Sequence, residues 1–157
     1  AQVYEENGRC EAAEVAALCL ANLYNSGGHR KITPDEYETI KKYLQKFPES
    51  MHIRAAFIIA SEAIYSPSAE YKRVPDKIIN KAKQWSEQYP KKIEFQEAYF
   101  GLLFSRLKYA QAQDMRNEQR RVYREMKTVA ERANYSEYNE SNQLMESVDI
   151  LHRVFGY

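Results

Sequence analysis

The strongest constraint on the fold of this chain is a pattern that occurs twice, with a spacing of 41 to 42 residues. Pro34 opens one predicted helix that closes at Pro48, and Pro75 opens another that closes at Pro90. Proline fits the first turn of a helix but cannot continue one, so these residues mark equivalent starts and ends. A repeat of this length, built from two helical stretches, is typical of a stacked helical array.

Apolar residues that recur at spacings of three and four predict seven helices and no strand. The predicted helices cover residues 9–24, 34–47, 51–65, 75–88, 93–112, 115–133 and 136–155. Residues 69–73 are predicted either to begin the fourth helix or to form a separate turn before it. The five glycines and five prolines are few for 157 residues, which favours long helices with short connections.

Several local signals refine this prediction. Thr33, Pro34 and Glu36 form a capping box with proline in its preferred slot at the start of the second helix. The stretch from Asn25 to Gly28 predicts the end of the first helix. Predicted inward-facing residues of the later helices include Leu102, Leu103, Leu107, Met115, Val122, Met126, Val129, Val148, Leu151 and Phe155.

The helices group into a single predicted domain over residues 1–157. Three helix pairs span residues 9–48, 51–90 and 93–133, and a closing helix spans 136–156. Each pair exposes an apolar face that a neighbouring pair is expected to cover. The alternative is an irregular helical bundle in which the two proline-bounded helices match by chance.

The chain resembles the tetratricopeptide-repeat and Sel1-like superfamily of α-solenoids over roughly residues 9–133. The resemblance is carried by the paired helices, by the terminators Phe47-Pro48 and Tyr89-Pro90, and by Ala56 and Ala98 at matched positions. It implies an all-α, right-handed stack of antiparallel helix pairs that binds proteins. The tetratricopeptide unit has 34 residues and a Leu-Gly pair that is absent here, and the period of 41 to 42 is closer to HEAT or armadillo lengths.

Composition bounds the partners and the compartment. The net charge of +1 gives no global electrostatic case for nucleic acid or a membrane, and no apolar run approaches the length of a bilayer-spanning helix. Cys10 and Cys19 are too far apart on one helix for a disulfide, so we interpret them as packing residues in a reducing, cytoplasmic compartment. The chain begins at Ala1, which favours a fragment of a longer protein over a processed secreted or periplasmic product.

No constellation of residues predicts catalysis. His29, His52 and His152 lack metal-ligand spacing, and neither cysteine belongs to a CxxC motif. The loop from Asn25 to Lys31 contains two glycines and three basic or titratable residues but lacks the P-loop pattern. The sequence therefore predicts no catalytic residue, no metal site and no small-molecule cofactor.

One charge feature stands out, on the sixth predicted helix. Residues 91–132 carry a net charge of +4, whereas residues 1–28 and 133–157 each carry −3. Guanidinium groups can hold carboxylates or phosphates bidentately, and tyrosines nearby could stack on a ligand. The predicted partner-binding residues are Arg116, Arg120, Arg121, Arg124, Lys127, Tyr123 and Tyr109. The alternative is a solvated helix face that Glu118 and Glu125 partly neutralise.

The prediction for function is a non-catalytic protein-interaction or scaffolding module that grips a protein or peptide segment, possibly an acidic one. Two alternatives stay open. The chain could be a sensor or regulatory segment of a larger multidomain protein, such as a signalling NTPase. The basic sixth helix could instead dock on a nucleic-acid backbone, in which case binding would weaken steeply with salt.

Overall fold

The computed structural model describes residues 2–25, 32–65, 72–136 and 142–157, with side chains of the first range described for residues 8–21. Within these ranges the chain forms seven α-helices and no strand, which confirms the predicted all-α class. The helices are α1 (Gln2–Asn25), α2 (Pro34–Lys46), α3 (Met51–Tyr65), α4 (Asp76–Gln88), α5 (Ile93–Ala112), α6 (Arg116–Ala133) and α7 (Gln143–Phe155).

Two helix starts differ from the prediction. α1 begins at Gln2 rather than Arg9 and continues through Gly8, a residue that weakens a helix without having to end it. α7 begins at Gln143 rather than at the predicted Ser136, and residues 137–141 of that predicted helix lie outside the described residues. The reason is a cap, because the side-chain oxygen of Asn142 accepts a hydrogen bond from the backbone N–H of Met145 at 3.1 Å.

Two predicted connections lie wholly or partly outside the described residues. One contains Ser26 to Gly28 and His29, and the other contains Ser66 to Ser68. Residues 72–75 are described and are not helical, so α4 begins only after Pro75.

The predicted cap of α2 is confirmed. The hydroxyl oxygen of Thr33 accepts a hydrogen bond from the backbone N–H of Glu36 at 3.2 Å, and Pro34 occupies the first helical turn. This arrangement satisfies one of the N–H groups that every helix start leaves without an internal partner.

The ends of α2 and α4 have nearly the same geometry. Phe47 ends α2 at φ −128° and ψ 65°, and Tyr89 ends α4 at φ −119° and ψ 61°. Each donates its backbone N–H over 2.8 Å to the carbonyl four residues earlier. The two joints are therefore alike locally, while the stacking of helix pairs into a solenoid stays a prediction.

A buried polar side chain from the following helix completes each joint. Arg54 donates from Nε to the carbonyl of Pro48 at 2.7 Å. Gln96, which lies 42 residues later in the sequence, donates from Nε2 to the carbonyls of Ser86 and Tyr89, both at 3.0 Å. Carbonyls at a helix C-terminus lack partners within the helix, so these buried donors satisfy groups that would otherwise be costly to bury.

The chain forms two compact units, residues 1–64 and 65–157. In unit 1, α1 packs on α2, and the ring of Tyr37 stacks on Phe57 with centroids 5.8 Å apart. The Tyr37 hydroxyl also shares a 2.7 Å hydrogen bond with the buried hydroxyl of Ser61. Ile40 and Ile53 are fully buried in this unit.

In unit 2, α4 packs against α5, α5 against α6, and α6 against α7. Leu102, Leu107 and Met126 are fully buried in this core, and the indole of Trp85 is 6% exposed. The predicted inward faces of α5 and α6 are thus confirmed along most of their length.

Among the described residues, three that were predicted to pack are exposed. Met115 is 42% exposed because it precedes the first turn of α6, and Phe155 is 47% exposed because it is the last residue of α7. Cys19 is exposed on α1, whereas Cys10 is half-buried, and both thiols are free. Apolar periodicity predicts burial along a helix, but a residue at a helix end, such as Met115 or Phe155, has fewer neighbouring side chains to cover it.

The contrast between two methionines gives a test of this core. Met126→Ala removes a fully buried side chain and should lower the free energy of unfolding by about 2–5 kcal/mol. Met115→Ala makes the same chemical change at an exposed position and should shift it by less than about 0.5 kcal/mol. Urea denaturation followed by far-ultraviolet circular dichroism measures both, and equal losses would contradict the assigned core.

Candidate functional site

The predicted cations of α6 do not share one surface. Arg116, Arg120, Arg124 and Lys127 are exposed and lie at spacings of four, four and three, which places them on one face of the helix. We call this set the cationic face. Arg121 follows Arg120 by one residue and is therefore turned about 100° around the helix axis.

The buried side of α6 fixes this orientation. Its residues Val122, Met126, Val129, Ala130 and Ala133 recur at helical spacing and pack inward. The cationic face lies on the opposite side of the helix and points to solvent.

Most of the cationic face has no partner within the described part of unit 2. The side chains of Arg120, Arg124 and Lys127 make no hydrogen bond or ion pair there. Arg116 lies 3.5 Å from the carboxylate of Asp114, but both side chains are more than four-fifths exposed. Such a pair contributes little, since water and salt screen it.

Arg121 belongs to a different cluster. Its guanidinium donates two hydrogen bonds to the Glu118 carboxylate, at 2.9 and 2.7 Å. The hydrogen bond from Arg121 lowers the pKa of Glu118 below its usual value, and Arg106 adds to the effect. Arg121 is thus paired with a carboxylate of its own helix, unlike Arg120, Arg124 and Lys127, although 68% of its side chain is exposed.

The centre of this cluster is Arg106, which sequence reasoning missed. Its side chain is only 4% exposed, and Nε donates to the carbonyl of Val74 at 3.0 Å. The same guanidinium forms an ion pair with Asp76 and lies 3.7 Å from Glu118. Hydrogen bonding to Arg106 lowers the pKa of Asp76. Because Leu103 precedes Arg106 by three residues, helical spacing already placed this arginine on the inward stripe.

The cluster borders an open hollow of about 330 Å³, which we call the inner groove. Tyr99, Leu103 and Arg106 of α5 form its floor. The walls are formed by Asp76, Ile79, Asn80 and Lys83 of α4 and by Arg121, Val122 and Glu125 of α6. The Tyr99 hydroxyl donates to Glu125 at 2.8 Å, and burial strongly raises its pKa, so the phenol stays protonated.

A second hollow, of about 230 Å³, lies where the end of α7 meets the start of α6. We call it the terminal hollow. Arg116, Gln119 and Arg120 line one side, and Phe155 and Tyr157 line the other. Two members of the cationic face thus border a concave surface with an aromatic wall.

Tyr157 is held firmly in that wall. Its hydroxyl donates to Oε1 of Gln119 at 2.7 Å and accepts from Nε2 of Gln111 at 3.0 Å. Its ring centroid lies 5.4 Å from that of Tyr123, so this predicted ligand-stacking residue packs against Tyr157. Tyr109 is half-buried on α5 and lines neither hollow.

Comparison with protein-family models, with curated proteins and with solved structures finds no match to this chain. Among the described residues, no helix is long and apolar enough to cross a bilayer. The same part of the chain holds no group of three or more His, Cys, Asp or Glu side chains placed to bind a metal ion. The candidate surfaces are the cationic face, the inner groove and the terminal hollow, and each is described from the geometry of unit 2 alone.

The lowered pKa of Glu118 predicts how stability depends on pH. A carboxyl whose pKa is lower in the folded state contributes fully above its ordinary value of about 4.3, and the contribution is lost as the pH falls through the lowered value. Glu118→Gln should therefore lower the free energy of unfolding by about 1 kcal/mol at pH 7, and the difference should diminish as the pH falls below about 4.

The control for this experiment is Glu131→Gln, at an exposed glutamate on the same helix with no ion pair in the described residues. It should change the free energy of unfolding by less than about 0.5 kcal/mol at pH 7. Urea titrations between pH 2 and pH 7 give the comparison. A gap between wild type and Glu118→Gln that stays constant with pH would rule out the assigned ion pair.

Proposed function

We propose that this chain is a non-catalytic protein-interaction module of the helical-repeat type, which binds an acidic segment of a partner protein on the cationic face of α6. The observation that carries the proposal is the exposure of Arg120, Arg124 and Lys127 on one helix face without an internal carboxylate partner among the described residues. Arginine binds carboxylates bidentately and is enriched among interface anchors.

The size of the cationic face suggests the form of the ligand. From Arg116 to Lys127 the helix rises about 16 Å at 1.5 Å per residue. An extended chain covers that distance in about five residues, at about 3.3 Å each. The proposed ligand is therefore a short extended segment with several Asp or Glu side chains.

The charged groups around this face also favour a protein over a nucleic acid. Asp114 lies near one end of the cationic face, and Glu131 lies near the other. These carboxylates would repel a continuous phosphate backbone, whose binding depends on releasing counterions from many phosphates at once. A short acidic segment can end before it reaches either carboxylate.

The repeat character of the module is part of the proposal. The matching ends of α2 and α4 and the matching roles of Arg54 and Gln96 support two equivalent helix joints. Helical repeats usually bind partners through a surface that several helices form together. The second candidate function is a regulatory segment of a larger multidomain protein. The cationic face of α6 could bind a partner in that role as well.

Charge reversal tests the proposed surface. The variant Arg120→Glu, Arg124→Glu, Lys127→Glu should bind a fluorescein-labelled peptide of about five acidic residues at least tenfold more weakly than the native chain, because like charges now face each other. Fluorescence anisotropy at about 0.15 M salt measures the dissociation constants, a condition under which screening acts over about 8 Å.

The matched control reverses three exposed lysines elsewhere, in the variant Lys42→Glu, Lys77→Glu, Lys91→Glu. It has the same net charge as the first variant and should keep its affinity within about threefold, a difference of less than 1 kcal/mol. Equal weakening in both triple variants would mean that net charge alone attracts the peptide. Tighter binding of a 12-base-pair DNA duplex than of the peptide would favour the nucleic-acid alternative.

A further inference from the structure

The solvent side of α7 carries an apolar stripe that the described part of unit 2 leaves uncovered. Ile150 is 52% exposed and Val154 is 66% exposed, four residues apart on one face of the helix. The inward side of the same helix is made by Val148 and Leu151, which are buried. α7 therefore has apolar residues on two sides, although only one of them contributes to the core.

Charged residues beside the stripe have an ordered pattern. Glu146 and Arg153 are seven residues apart, and two helical turns bring both to the same flank of the stripe. Both side chains are exposed, as is Asp149 between them. The stripe thus has negative charge toward the N-terminal half of α7 and positive charge toward its C-terminal end.

We propose that this face binds a second copy of the same chain, with the two α7 helices antiparallel across a two-fold axis. The midpoint between Glu146 and Arg153 falls beside Ile150, so an axis at this residue places Glu146 of one copy next to the partner's Arg153, and the reverse. Ile150 then packs on the partner's Ile150, and Val154 covers the hydrocarbon stem of the partner's Glu146.

The charge pattern selects this arrangement. In the antiparallel pair both ionic contacts join opposite charges, whereas a parallel two-fold pair would place Glu146 near its own copy and Arg153 near its own copy. The two exposed β-branched side chains supply the apolar centre that an interface needs. The face is therefore complementary to itself in one orientation.

The same geometry limits the strength of association. Stable interfaces bury about 800 Å² on each partner, and a contact centred on one four-turn helix provides less. We expect a dissociation constant on the order of 100 µM, in the range of weak, transient interfaces. This association uses a different helix from the cationic face of α6, so it neither needs nor blocks the proposed partner binding.

Sedimentation velocity on the full chain, from about 10 µM to about 1 mM, tests this proposal. The native chain should shift from monomer to dimer over this range, and Ile150→Glu should remain monomeric throughout. The matched control is Val15→Glu, at a valine of α1 that is 63% exposed and lies far from α7 in the sequence, and it should dimerise like the native chain. Circular dichroism verifies that all variants keep their helix content.

A charge swap tests the antiparallel register separately. Glu146→Arg and Arg153→Glu should each weaken dimerisation at least tenfold, because each creates two like-charge contacts across the axis. The double variant restores opposite charges and should return the dissociation constant to within about threefold of the native value. A native chain that stays monomeric at 1 mM, a dimer insensitive to Ile150→Glu, or a double variant as weak as the single ones would overturn the proposal.

Discussion

Burial of the guanidinium of Arg106 is the constraint on which the rest of unit 2 depends. A buried charge is tolerated only when its hydrogen bonds are satisfied, and here the partners come from the start of α4 and from α6. The carbonyl of Val74, the carboxylate of Asp76 and the carboxylate of Glu118 must all stay in reach of one side chain on α5. That requirement fixes the three helices against one another and so shapes the inner groove.

The features of the fold that neighbouring residues determine were predictable from the sequence, whereas those that depend on distant residues were not. The spacing of apolar residues and the capping preference of a residue can be read from a few neighbouring positions. The middles of α3 and α5 and the Thr33 cap were therefore predicted correctly. Helix ends depend on tertiary partners. The start of α7 is set by Asn142, whose side chain also donates to the carbonyl of Ala130 at 2.7 Å, a contact that sequence spacing does not reveal. Met115 and Phe155 were misassigned for the same reason.

The candidate site also has features that neighbouring residues predict and features that depend on distant residues. The spacing of Arg116, Arg120 and Arg124 was enough to predict one shared, exposed helix face. The engagement of Arg121 also has a local signal, since Glu118 is three residues away. No local pattern links Gln119 to Tyr157, which are 38 residues apart, and their hydrogen bond builds the terminal hollow. Periodicity finds a face, but a concave surface needs residues that are distant in sequence.

The burial of Trp85 has a practical consequence. It is the one tryptophan of the chain and is packed within unit 2, whereas unit 1 contains none. Its fluorescence emission is therefore an intrinsic optical reporter of unit 2, while the helical signal averages over both units. Coincident transitions from the two probes would indicate that the units unfold cooperatively, and separate transitions would give each unit its own stability.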